Sequence, residues 1–176
     1  MVLKTKKHQP NELSILVLRD GFSFCTQNKS IFYPVNDTNI FDFDSVSLFI
    51  EQEKIVSETV HVIHLKTAST IVPQELFDDQ NAEFYLSKGV TLKDNEAVAF
   101  DVLEAYNQVV VYSEYPKVME VLKKLFPNLK SKHATSLLLA PLTQFSMGTP
   151  KKQLFVHMRD GACLLYTSDA ADDSLR

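Results

Sequence analysis

Cysteine is scarce in this 176-residue chain, with two residues, and two cannot make a disulfide framework. No apolar run approaches the roughly 18 residues that span a bilayer. The basic residues of Met1 to Pro10 are followed by no hydrophobic stretch of the kind a signal peptide carries. A soluble cytoplasmic protein is the expectation. No basic block occurs, and with 18 Lys and Arg against 22 Asp and Glu the net charge is -4, which argues against nucleic acid as the main partner. Tryptophan is absent and glycine is limited to four residues, two of which follow an Arg-Asp pair. Hydrophobic residues make up 45% of the chain and charged ones 23%. That excludes intrinsic disorder, because such a chain can bury enough apolar surface to offset its ordering entropy.

The hydrophobic pattern predicts an alternation of strands and helices. Leu13 to Arg19 (LSILVLR) is a short β-rich run suited to a buried strand. Asp20-Gly21 then predicts a hairpin turn into a second strand, Phe22 to Thr26. A third strand, Ser30 to Val35, is placed near an edge by Pro34. Asp44 is suited to cap a helix running through SVSLFIEQEKIV, so Asp42 and Asp44 read as turn and cap rather than as a metal pair. Further strands are expected at Thr59 to Leu65, Ser69 to Val72, Ala97 to Phe100 and Gln108 to Ser113. Pro73 occupies an expected first helical position, and Asp78 to Gly89 is a polar excursion with a short helix. The clearest helix opens at Pro116, places Val118, Val121, Leu122, Leu125 and Phe126 on one face, and stops at Pro127-Asn128. Ser131 to Thr135 begins a strand. Ser136 to Phe145 is a buried element interrupted by Pro141, and Lys152 to Arg159 is a last strand.

An internal match organises these elements. Leu16 to Gly21 aligns with Val156 to Gly161, each an apolar strand running into Arg-Asp-Gly. A duplicated α/β unit, interrupted soon after its second copy begins, would give this pattern. The tail supports an interruption: CLLYTSDAADD, Cys163 to Asp173, resembles the conceptual translation of a sequencing adapter, with Ala162 as the junction. The expected organisation is a disordered leader (1–11), a first lobe (12–150), the start of a truncated second lobe (151–162) and a non-native tail (163–176). Without that tail, Lys and Arg number 17 against 19 Asp and Glu.

Four segments carry a family resemblance: LSILVLRDGFSFC (Leu13 to Cys25), TIVPQELF (Thr70 to Phe77), QVVVYSEYPKVMEVLKKLFP (Gln108 to Pro127) and the run opened by His133. Together they resemble domain of unknown function 3822, a family seen mainly in Bacteroidota. The resemblance implies a distant member of the actin-like ATPase superfamily. The implied fold is a ribonuclease-H-like α/β lobe, with a mixed sheet flanked by helices. It implies no activity, because none is established for that family.

In active actin-like ATPases the turn after the first strand of each lobe holds phosphate through an Asp, a Gly and small hydroxylated residues. The corresponding residues here are Asp20, Gly21 and Ser23, with Asp160 and Gly161 in the second copy. Bulky Phe22 and Phe24 stand where small residues are wanted, so the segment resembles an ordinary hairpin more than a phosphate cradle. Asp20 is the sole acidic residue near the first strand. Glu58, Asp101 and Glu104 read as structural or solvated, which disfavours a metal-dependent nuclease. His61 and His64 fall on opposite faces of one strand, and His133 and His157 lack companions at metal-ligand spacing. Cys25 reads as a small buried hydrophobe. No catalytic or metal residue is assigned. The expectation is a non-catalytic or degenerate actin-like scaffold with an unidentified protein partner and no cofactor. The alternative is a nucleotide-binding ATPase using ATP and magnesium through an atypical loop.

Overall fold

The computed structural model describes residues 12–18, 20–35, 43–55, 57–65, 67–146, 153–159 and 162–168. The expected leader, Asp42, Asp160, Gly161 and residues 169–176 lie outside them. In chain order the strands and α-helices are β1 (Glu12–Val17), β2 (Gly21–Cys25), β3 (Ser30–Pro34), α1 (Phe43–Gln52), β4 (Thr59–His64), β5 (Ser69–Pro73), α2 (Ala82–Ser87), β6 (Ala97–Leu103), β7 (Gln108–Glu114), α3 (Pro116–Leu125), β8 (Lys130–His133), α4 (Ala134–Ser146), β9 (Gln153–Arg159) and β10 (Ala162–Ser168).

Two sheets carry the fold. The larger is mixed, in the order β3-β2-β1-β4-β8. Strands β1, β2 and β3 form an antiparallel meander, while β4 and β8 run parallel to β1. Period-two alternation sends Leu13, Ile15, Val17, Phe22, Phe24, Val60 and Val62 to one face, where Val46 of α1 and Val118, Met119, Val121 and Leu122 of α3 pack on them. Phe22 and Phe24 are fully buried there, and each contributes on the order of 2–3 kcal/mol of burial. The opposite face holds Ser14, His61, Ile63, Lys130 and Lys132, which with Leu137 line a groove of about 410 Å³.

The second sheet, ordered β5-β7-β6, is inserted between β4 and α3. Its central strand is buried on both faces. Val109 and Val111 face α2, and Val110 and Tyr112 face Leu139 of α4. Helix α4 tolerates Pro141 in its interior, and the Tyr106 hydroxyl donates to the Ala140 carbonyl at 2.7 Å beside it. Strand β9 pairs with β10 as a separate antiparallel ribbon, Arg159 opposite Ala162.

Several local expectations change. Gly21 belongs to β2 rather than to the first hairpin turn, and the Leu18 N–H bonds its carbonyl at 2.9 Å. Gly21 is needed in the strand: at φ +153, a Cβ there would lie 2.3 Å from the Tyr33 carbonyl oxygen of β3. Asp44 sits inside the first turn of α1 rather than before it, where its charge complements the helix dipole. Pro73 ends β5 and precedes only a single 3-10 turn, Gln74–Leu76. Cys25 is half-buried rather than a core residue. It faces away from the packed helices, with its Sγ 3.3 Å from Ser30 Oγ.

Candidate functional site

The parallel strands β1, β4 and β8 end together, with Val17 opposite His64 and His64 opposite His133. In open α/β sheets this carboxyl edge is where ligands bind. Here it is covered by the inserted sheet, and a cluster of buried polar side chains forms between them. His64, Asp101, Ser113, His133, Thr135 and Ser136 are all buried.

Asp101 is the centre of the cluster. Strand β6 continues past the expected end at Phe100 and turns the Asp101 carboxylate toward the start of α4, leaving it 9% exposed. Its Oδ2 accepts from the His133 backbone N–H at 2.8 Å and from the Ser136 hydroxyl at 2.5 Å. The Tyr112 hydroxyl points to Oδ1 at 3.5 Å. His133 Nδ1 in turn accepts from the Thr135 N–H at 3.1 Å, so the ring serves as the side-chain cap of α4 and Nδ1 carries no proton. The unsatisfied amides and the positive dipole end that make a helix N-terminus an anion site are therefore addressed by residues of the same chain.

Beside this cap the Tyr112 ring lies between two imidazoles, 5.3 Å from His64 and 5.1 Å from His133 between centroids. His64 Nε2 is 2.9 Å from Ser131 Oγ and 3.9 Å from Glu114 Oε2. Burial, aided by the charge His133 would carry, pushes the His64 pKa down to about 4. Burial also pushes Glu114 above the usual carboxylate range, against the pull of Lys123. Both shifts favour the neutral forms, so His64 and Glu114 are not an ion pair at neutral pH. Tyr112 is raised by burial first and then by Asp101 and Glu114, which keeps its hydroxyl protonated.

The His64 shift fixes a pH dependence. An unfolded imidazole takes its proton near 6.5 and the folded one only near 4, so the unfolded state binds more protons between them. Stability is lost as pH falls through that window, by on the order of 3 kcal/mol from His64 alone, with the upward shift of Glu114 acting in the opposite direction. Urea midpoints measured from about pH 7 to about pH 4 should fall in the wild type and fall much less in His64→Gln. Equal slopes in both proteins would remove His64 as the cause.

The expected phosphate residues belong to the turn that follows β1 at this edge and to β2. Asp20 is exposed in the first turn, its carbonyl bonded to Val35 N–H at 3.0 Å. Gly21 is buried against β3. Ser23 projects to the face opposite Phe22 and Phe24, with Ser30 Oγ at 3.2 Å and Cys25 Sγ at 3.4 Å. His61 and His64 do face opposite sides of β4. Among the described residues no group of three or more His, Cys, Asp or Glu side chains converges as a metal site, and no helix is long and apolar enough to cross a membrane. Sequence reasoning missed the Asp101–His133–Ser136 cluster, whose members are 32 and 35 residues apart. The available signal was a lone acidic residue at the inward position of an alternating strand.

A meander followed by two parallel strands, with helices packed on the sheet, is the mixed α/β architecture that the resemblance implies. A crystal structure from Bacteroides thetaiotaomicron, described as a protein with actin-like ATPase fold and unknown function, is similar to this chain with a TM-score of 0.73 and 20% identity. The match covers 97% of this chain and 70% of that one. The chain belongs to the family described as protein of unknown function (DUF3822), whose model matches residues 2–170. That span includes the residues of β10 read above as non-native, and β10 pairs with β9 along its length. No curated protein matches the chain.

Proposed function

We propose that this chain is a non-catalytic member of the actin-like fold that works by binding a protein partner and not by turning over nucleotide. The observation that carries this reading is Asp101: a carboxylate of the inserted sheet occupies the α4 N-terminus at the carboxyl edge of the parallel strands, where an incoming phosphate would meet like charge. The first turn supports it. Gly21 is closed on its Cβ side by Tyr33 and Phe32 of β3, and Ser23 is turned toward Ser30 and Cys25. These residues do not fit ATP and magnesium.

Melting the protein with and without millimolar Mg-ATP tests the proposal. A ligand at a hundred times its dissociation constant adds about 2.7 kcal/mol to stability, which at this chain length raises the melting temperature by roughly 5–10 °C. The expected shift is within measurement scatter. A rise of several degrees that Asp20→Ala abolishes would overturn the reading in favour of a nucleotide-binding ATPase with an atypical loop.

A further inference from the structure

The edges of the two larger sheets are not equally protected. Edge strands expose unpaired backbone N–H and C=O groups, and proteins blunt them with proline, lysine, bulges or cover. Strand β3 ends in Pro34, β5 ends in Pro73, and β8 carries exposed Lys130 and Lys132. Among the described residues, strand β6 has none of these. Its seven residues, AVAFDVL, contain no proline or lysine and pair with β7 on one side only. Among the described residues, no backbone hydrogen bond joins β6 to any other segment. Phe100 and Val102, which point to the α2 face, are 40% and 43% exposed. Phe100 continues an aromatic row through Phe77 (4.9 Å between centroids) to Tyr85 (5.6 Å from Phe77). The one inward charge on the strand, Asp101, is consumed by the α4 cap and does not guard the edge.

The charge around this edge has one sign. Residues 74–104 contain seven carboxylates besides Asp101 and only two lysines, Lys88 and Lys93. Asp94 and Glu96 lie just before β6 and Glu104 just after it, so acidic residues flank both ends. A second copy of this chain docking edge to edge would oppose carboxylates to carboxylates, which disfavours self-pairing.

We propose that the open edge of β6 receives an extended, basic segment of a partner protein as a fourth strand of the inserted sheet. Main-chain hydrogen bonds to β6 hold the segment. Its apolar side chains, at alternate positions, lie beside Phe100 and Val102, and its Lys or Arg residues face the flanking carboxylates. The inference rests on the protein-binding reading above and deepens it by assigning the surface and the partner chemistry.

A randomised displayed dodecapeptide library, selected on the full chain, is the probe. Three proteins are compared: wild type, Phe100→Lys/Val102→Lys, and the charge-reversed Asp94→Lys/Glu96→Lys. All three are first shown by melting to be folded. The expected peptides alternate apolar with basic residues. They should lose at least tenfold in affinity on either variant and slow amide hydrogen exchange in β6 when bound. Enrichment of peptides that bind the three proteins equally, protection confined to other strands, concentration-dependent dimerisation through β6, or no enrichment would overturn the proposal. A failed selection with no Mg-ATP shift would retire the edge and leave the non-catalytic reading standing. A Mg-ATP shift would count against that reading whatever the peptides do.

Discussion

Asp101→Ala is expected to destabilise the protein by about 2–5 kcal/mol, because two buried donors lose their shared acceptor. The substitution leaves the His133 N–H and the Ser136 hydroxyl without their acceptor in a buried place, and each orphaned group costs about 1–3 kcal/mol. It also removes the charge that stabilises the start of α4. Asp101→Asn should be far milder, near 1 kcal/mol, because the amide oxygen can replace Oδ2 while its NH₂ meets the Tyr112 hydroxyl, which can also accept. Urea unfolding checks both, read as a change in midpoint at constant slope. A loss below about 1 kcal/mol for the alanine variant would mean that water reaches the site and that Asp101 is not the anchor of the cluster. Combining Asp101→Ala with Ser136→Ala should give less than the sum of the single effects, since both remove the same hydrogen bond.

The second large effect is expected at Gly21. An added Cβ meets the Tyr33 carbonyl oxygen at 2.3 Å and the Phe32 ring at 2.7 Å, and φ is +153. The oxygen belongs to the backbone of a paired strand and cannot rotate away. Gly21→Ala should therefore cost about 3 kcal/mol or more, combining backbone strain with displacement of β3. Gly89 provides the control. Nothing lies within 4 Å of a Cβ built there, and Gly89→Ala should change stability by no more than about 0.5 kcal/mol. Similar small effects at both positions would show that β3 yields easily and that the first hairpin does not depend on the glycine.

Both predictions depend on positions whose importance differs in visibility. Gly21 stands out in the sequence because Asp-Gly between two apolar runs predicts a hairpin, and the hairpin is present. Its role differs from the expected one: it is the first residue of β2, and the glycine serves close strand packing. The β1 to β3 meander, the strand at Thr59–His64 and helix Pro116–Leu125 were also legible. In each, the spacing of apolar residues matches the period of the element it builds. Helix α4 was not, because Pro141 interrupts the pattern while the inserted sheet supplies the packing that holds the helix together.

The chain's sequence by itself determined the first meander, the strand at Thr59–His64, helix Pro116–Leu125, the bulky Phe22 and Phe24 after the first turn, and the family resemblance. These depend on short-range periodicity and on residue identity. Tertiary structure alone decided that β5, β6 and β7 form a separate sheet over the carboxyl edge, that Asp101 holds the His133 N–H and the Ser136 hydroxyl at the start of α4, and that no described residue pairs with the outer edge of β6. His133 and Ser136, which donate to Asp101, lie 32 and 35 positions beyond it in the chain. Whether a carboxylate is solvated or holds a helix start is settled by what the fold removes from water around it, and no local pattern encodes that.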